Sequence, residues 1–172
     1  MLYLTLKLRQ ALSVHLPLNS RPIYMKIEDF LQPEQEQRIA QAIAAAEKRT
    51  SGEIKVHLDL KCPANALDTA KKLFKSMKMH QTRQRNGVLI YIAIEDRKMA
   101  IFGDEGIHTC VGGEFWQQEI DLITPYFKRG EFEQGLLAVI EQIGEKLRDN
   151  FPYEAEKDTN ELPNEITYGK PS

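Results

Sequence analysis

The chain has 172 residues, of which 42% are hydrophobic and 28% charged, and its formal net charge is −2 at pH 7. A chain of this length and composition is expected to form one globular domain. The near-neutral charge argues against a domain that neutralises nucleic-acid phosphates, because such domains are usually strongly basic. No run of about 18 apolar residues is present, so we expect no membrane-spanning helix.

Residues 1–24 precede the first element that the sequence pattern predicts. Lys7 and Arg9 interrupt the apolar stretch that a signal peptide would need, and no small-residue cleavage pattern follows. We therefore interpret residues 1–24 as an N-terminal extension outside the fold, with Met25 as an alternative start. An added edge strand or helix is the other interpretation. Without a targeting signal, the expected location is the cytoplasm.

The first part of the domain is predicted to contain a helix, a strand and a second helix. Residues 33–49 carry Pro33 in the first turn and an apolar stripe at helical spacing, formed by Ile39, Ala42, Ile43 and Ala46. Residues 53–60 alternate polar and apolar side chains, which is typical of a strand with one dry face. Asn65 then fits the N-cap of a helix with one apolar face.

The second part is predicted to contain a hairpin and two helices. Residues 87–94 are apolar on both faces, as expected of a central strand covered by helices on either side. Residues 95–98 form a charged turn, and residues 99–102 return antiparallel. Two amphipathic patterns follow, over residues 115–127 and 132–147, and each predicts a helix.

This order of elements predicts an α/β fold, a three-layer Rossmann-like sandwich with a short mixed sheet and helices on both faces. The strand at 54–60, the crossover helix and the strand at 87–94 would form one right-handed βαβ unit. We predict a domain over residues 25–153 and a C-terminal tail over residues 154–172. The tail is rich in acids and proline, so we expect it to be mobile or draped on the surface.

Several sequence motifs match a known family: SGEIKVHL (51–58), AKKLFKSMKMH (70–80), RNGVLIYIAIEDRKMAIFGDEGIH (85–108) and YFKRGEFEQGLLAVIEQIGEKL (126–147). With them, the chain resembles the TPM-domain family, which includes thylakoid-lumen proteins of photosystem repair and many bacterial proteins. The closing NELPNEITYGK (160–170) is similar to the tails of short bacterial members. The resemblance implies a Rossmann-like sandwich and, for some members, acid phosphatase activity or calcium binding. Many relatives carry a signal peptide and a membrane helix, and this sequence shows neither pattern.

A first group of oxygen ligands is expected at one end of the predicted hairpin. Antiparallel pairing places Gly87 opposite the segment that begins at Asp104. This would bring together Asn86, Asp104 and Glu105, with His108 as a further candidate. Carboxylate and amide oxygens are ligands that Ca²⁺ and Mg²⁺ prefer, and the flanking glycines would let the backbone bend sharply. The alternative interpretation is a solvated turn.

A second group is expected at the opposite end of the sheet. Asp59, Glu95 and Asp96 follow the carboxyl ends of the two parallel strands, where open α/β sheets bind ligands. The helix N-terminus after Asn65 lies close by and could hold an anion. An ordinary hairpin turn at 95–98 is the alternative. The predicted metal ligands are Asn86, Asp104, Glu105, Asp59 and Asp96, and the predicted cation is Ca²⁺ or Mg²⁺.

The sequence contains no established nucleophile motif. It lacks G-x-S-x-G, a phosphate-cradling glycine loop and C-x5-R. Cys62 and Cys110 match no local metal motif and are expected to be reduced thiols. The residues therefore favour a divalent-cation-binding accessory or interaction module without a nucleic-acid partner. The family resemblance supplies the alternative, a metal-assisted acid phosphatase-like hydrolase, and a purely structural protein-binding role is a third interpretation.

Overall fold

The computed structural model describes residues 5–7, 27, 30–154 and 162–169, which form a mixed α/β fold. The strands are β1 (Thr5–Lys7), β2 (Glu53–Asp59), β3 (Gly87–Ala93), β4 (Lys98–Gly103) and β5 (Thr167–Tyr168). The α-helices are α1 (Pro33–Glu47), α2 (Ala66–Ser76), α3 (Glu105–Lys128) and α4 (Phe132–Asn150). The predicted succession of helices and strands is confirmed, and a short strand is added before and after it.

The described strands form a mixed sheet in the order β1–β4–β3–β2–β5. β2 pairs in parallel with β3, and β3 pairs antiparallel with β4, with Val88 opposite Gly103. The predicted βαβ unit and hairpin are therefore confirmed. β1 pairs antiparallel with β4, so residues 5–7 of the segment interpreted as an extension form an edge strand. Most of residues 1–24 lie outside the described residues.

Helices cover the sheet on both faces, which confirms the predicted three-layer sandwich. α1, α3 and α4 bury their apolar stripes on one face, and α2 packs on the other face over β3 and β4. Every residue of β3 is buried, as expected for a strand covered on both sides. None of the helices described here is long and apolar enough to cross a membrane.

The predicted tail is more ordered than its composition indicates. Within it, β5 pairs in parallel with β2, and Ile166 is only 9% exposed because it packs into the main core. A two-residue strand is too short to show a period in the sequence, so the pattern could not predict it. Residues 155–161 and 170–172 of this tail lie outside the described residues.

Candidate functional site

The first predicted group of ligands lies where β4 meets α3. Asp104 is the N-cap of α3, and its carboxylate accepts a 2.9 Å hydrogen bond from the Glu105 amide. Arg85 binds the same carboxylate with two hydrogen bonds, of 2.6 Å to Oδ2 and 2.8 Å to Oδ1. The Asp104 side chain is only 6% exposed, and its hydrogen bonds raise the pKa of Arg85. The charge of Asp104 is therefore neutralised within the protein.

The other members of this group contact different partners. The Asn86 amide is buried and donates to Ser51 Oγ at 3.2 Å, while its Oδ1 has no hydrogen-bond partner among the described residues. Glu105 is exposed in the first turn of α3. His108 Nδ1 accepts a 3.0 Å hydrogen bond from the Trp116 indole. We name this region, formed by Arg85, Asn86, Asp104 and Glu105, the Asp104 end of the sheet.

The two glycines of this segment, Gly103 and Gly106, allow close packing rather than a sharp bend. Neither has a positive φ. A Cβ on Gly103 would overlap the ring of Trp116. A Cβ on Gly106 would overlap the carbonyl oxygen of Gln84 and lie 2.7 Å from that of Arg85. In place of the expected glycine turn, the structure has the first turn of α3, which packs closely against the loop before β3.

The second predicted group lies at the carboxyl ends of β2 and β3. Asp59 accepts a 2.8 Å hydrogen bond from the Tyr91 hydroxyl and lies 3.4 Å from His57 Nε2. Asp96 accepts a 2.6 Å hydrogen bond from the backbone amide of Cys62. In the part of the chain that the structure describes, neither aspartate has a lysine or arginine within salt-bridge distance. We name this region, formed by Asp59, Asp96, His57, Tyr91 and Cys62, the Asp59 end of the sheet.

The loop after β2 is fixed by polar contacts from the hairpin. Lys98 Nζ donates to the carbonyl oxygens of Cys62 and Ala64, at 2.5 and 3.1 Å. Asn65 caps α2, as predicted, by accepting hydrogen bonds from the amides of its first turn. Asp96 binds the Cys62 amide while Lys98 binds its carbonyl, so the loop and the start of α2 are held beside the hairpin turn. Both cysteines of the chain are free, as predicted.

His57 and Tyr91 belong to this end of the sheet, although the sequence pattern did not identify them as site residues. They are 4% and 0% exposed, and their rings stack with centroids 6.1 Å apart. Burial lowers the pKa of His57, with Asp59 opposing the shift. Burial also raises the pKa of Tyr91, helped by contacts with Cys62 and Asp59. At neutral pH the site therefore combines a neutral imidazole with a neutral phenol that donates to Asp59.

The signal that could have identified these residues is the register of the parallel strands. Tyr91 pairs directly with His57, two positions before the strand-end pair of Asp59 and Ala93. His57 Nε2 has no hydrogen-bond partner among the described residues, although Asp59 lies near it. Within those residues, no three His, Cys, Asp or Glu side chains are grouped so that they alone could hold a metal ion.

Comparisons with known proteins agree with the observed fold. The BA42 protein from the psychrophilic bacterium Bizionia argentinensis is 45% identical, with a TM-score of 0.77, and the match covers 84% of this chain and 99% of that chain. The N-terminal domain of a P. gingivalis protein is 20% identical with a TM-score of 0.60, covering 71% of this chain and 79% of that one. The N-terminal domain of the cg2496 protein from Corynebacterium glutamicum is 13% identical with a TM-score of 0.57, covering 75% and 84%.

The two more distant structures share the fold, and the BA42 protein also shares much of the sequence. No curated protein gave a significant match. The family model described as the TPM domain, which bears the name TPM phosphatase, matches residues 25–146. This match spans most of the chain and includes both ends of the sheet described above. The chain therefore belongs to the TPM-domain family.

Proposed function

We propose that this TPM domain is an accessory or interaction module that binds a divalent cation, Mg²⁺ or Ca²⁺, at the Asp59 end of the sheet. The observation that carries the proposal is the charge of that end, because neutral groups contact Asp59 and Asp96 and no lysine or arginine in the described part pairs with them. A cation would supply the missing positive charge. Asp104 and Glu105 are less favourable ligands, since Arg85 already occupies the Asp104 carboxylate.

The ligand set favours a hydrated cation. Asp59 and Asp96 would supply the carboxylate oxygens, while Tyr91 would keep Asp59 oriented through its hydrogen bond. Mg²⁺ usually keeps several of its waters and is bound through one or two carboxylates, whereas Ca²⁺ takes about six to eight oxygen ligands. The two-carboxylate set therefore fits Mg²⁺ better, and the expected affinity is modest, with a Kd on the order of 10⁻⁴ to 10⁻³ M.

Calorimetric titration of the full chain with Mg²⁺ and Ca²⁺ tests the proposal. We expect Asp59→Asn to weaken binding about tenfold, because one full negative charge is lost from the site. Asp96→Asn should weaken it less, since that side chain is exposed to solvent. Asp104→Asn is the matched control and should leave the affinity unchanged. An equal loss in all three variants, or no binding at millimolar concentrations, would contradict this assignment.

A second candidate function, a metal-assisted phosphomonoester hydrolase, is favoured by one observation. The amino group of Lys98 and the N-terminus of α2 lie beside the loop that Asp96 binds. Both carry positive charge and could hold a phosphate next to a carboxylate-bound cation. The test is hydrolysis of an aryl phosphate across pH, with and without Mg²⁺. We expect any true activity to be lost in Asp59→Asn and reduced in Lys98→Met; activity that persists in both would come from a contaminant.

A further inference from the structure

Residues 162–169, here named the C-terminal segment, lie along the outer edge of β2. Within the segment, Thr167 is opposite His57 and Tyr168 is opposite Leu58 in a parallel ladder. The ladder continues where the Gly169 amide donates to the Leu58 carbonyl at 2.8 Å. Without this segment, β2 would be an edge strand in the described sheet, and exposed edges of this kind bind extended peptides by adding a strand.

The C-terminal segment contacts β2 and α1 position by position. Ile166 is buried in the main core. Thr167 Oγ1 lies 2.8 Å from His57 Nδ1. Three further polar contacts fix its ends: Lys55 Nζ donates to the Pro163 carbonyl, Asn164 Nδ2 donates to Glu47 Oε2, and the Tyr168 hydroxyl donates to Glu36 Oε1. Most positions of the segment therefore have a specific partner, so the edge can distinguish one sequence from another.

The face of β2 beneath the segment is polar, unlike the rest of the core. Lys55, His57 and Asp59 lie on the α2 face of the sheet, on a strand over which α2 does not pack, and Lys55 and His57 are buried there. The opposite face of the same strand carries Ile54, Val56 and Leu58. Charged side chains that point inward are one way in which proteins protect a strand edge that becomes exposed. Water can solvate these groups when the segment leaves, so the β2 edge is suited to both an occupied and an open state.

We propose that the edge of β2 is a binding site for an extended peptide with the sequence pattern of the C-terminal segment, which occupies the site in cis. The partner that carries this pattern is a second copy of the chain. Recognition requires a parallel strand whose apolar residue packs into the core, with a threonine opposite His57 and a glycine beside Asp59. A Cβ on Gly169 would overlap Asp59 Oδ1, which explains the glycine. This inference goes beyond cation binding and does not depend on it.

Fluorescence anisotropy with a labelled, end-blocked peptide of residues 162–169 (LPNEITYG) tests the site, in the presence of a chelator so that no metal contributes. The full wild-type chain should bind the peptide weakly, because its own segment competes at high effective concentration. The full chain with Ile166→Lys should bind it about tenfold more tightly, since a lysine cannot be buried at this position and the cis segment is released. Ile166→Val is the matched control and should behave like the wild type.

Two peptide variants test sequence recognition. The peptide with Gly169→Val should bind the released chain about tenfold more weakly, because its side chain would meet Asp59. A scrambled peptide should not bind. The inference is overturned if the folded Ile166→Lys chain binds the peptide no better than the wild type does, or binds the scrambled peptide equally well. If circular dichroism shows that Ile166→Lys does not fold, the Gly169→Val chain takes its place, with the same two outcomes.

Discussion

At one end of the sheet, Asp104 is held by a helix N-terminus and by both nitrogens of the Arg85 fork, whereas at the other end Asp59 and Asp96 are held by a phenol and a backbone amide. The first arrangement gives both carboxylate oxygens hydrogen-bond donors and a charged partner, so we expect it to stabilise the fold. The second leaves negative charge without a lysine or arginine partner in the described part of the chain. The difference shows that acidic residues which follow strand ends can have very different partners, and that the partner of a carboxylate is more informative than its position.

The largest effect is expected from Gly106→Ala at the Asp104 end. The new Cβ would overlap the Gln84 carbonyl oxygen, a backbone atom that cannot move without shifting the loop before β3. We expect a loss of about 3 kcal/mol in the free energy of unfolding, which corresponds to about 6–12 °C in Tm for a chain of this size. Thermal unfolding followed by circular dichroism measures it. Glu105→Ala, at an exposed position of the same turn, is the control and should change Tm by only a few degrees.

Asp104→Ala should destabilise the fold by about 2 kcal/mol, because it removes both the N-cap of α3 and the partner of Arg85. Asp104→Asn separates the two contributions, since asparagine keeps the cap but loses the ion pair. Denaturant unfolding would then give an intermediate loss for Asp104→Asn. Equal stability of Asp104→Ala and the wild type would mean that this end is not a structural one.

Asp59→Asn is expected to stabilise the fold in the absence of a cation, whereas Asp104→Ala destabilises it. The asparagine carbonyl can still accept from Tyr91, its amide can donate to His57 Nε2, which has no hydrogen-bond partner among the described residues, and a charge without a lysine or arginine partner there is removed. We expect a gain of about 1 kcal/mol in the free energy of unfolding, measured by denaturant titration with a chelator. Destabilisation would instead indicate that the Asp59 charge contributes to the stability of the metal-free fold.

Another buried carboxylate, that of Glu119, extends the comparison to pH. Glu119 in α3 is buried, its Oε2 has no hydrogen-bond partner among the described residues, and burial raises its pKa from 4.5 to about 7, with Lys146 opposing the shift. Because the folded pKa is the higher one, the contribution of Glu119 is favourable below pH 4.5 and is lost as the pH rises through 7.

Glu119→Gln removes this dependence. The variant should be more stable than the wild type by about 1 kcal/mol at pH 8, and the difference should diminish towards pH 5. The measurement is the free energy of unfolding at both pH values. Glu114→Gln, at an exposed position on the same helix, should show no such trend; a similar trend in that variant would assign the effect to the helix as a whole.

The fold could be predicted from the sequence because its signals are local. The apolar run of β3 and the apolar stripes of the helices each predict what is buried, and the structure confirms them. The alternation in β2 correctly predicts a strand, but its polar face is buried as well, at Glu53, Lys55 and His57. β5 could not be predicted, since two paired residues have no period. The start of α3 was also missed, because Asp104 and Gly106 fit a turn as well as a capped helix, and only the contact with the preceding loop distinguishes the two.

The candidate site was predicted less completely, because its chemistry depends on pairing between strands. Asp59 and Asp96 were identified from their places at strand ends, but the partners that distinguish them from Asp104 lie far away in sequence. Tyr91 was hidden inside an apolar run and becomes part of the site through its register with His57. An arginine such as Arg85 can neutralise a carboxylate only once the loop and the helix are packed together.

Because Trp116 packs on Gly103, the tryptophan fluorescence of the protein reports on one local region of the structure. The chain contains one tryptophan, and its indole donates to His108 beside the Asp104 end of the sheet. Its spectrum therefore reports on loosening of the β4–α3 junction. Binding or release at the far edge, where Asp59 and the C-terminal segment lie, is not expected to change the fluorescence of Trp116. Detecting it requires an extrinsic dye or a second tryptophan placed there.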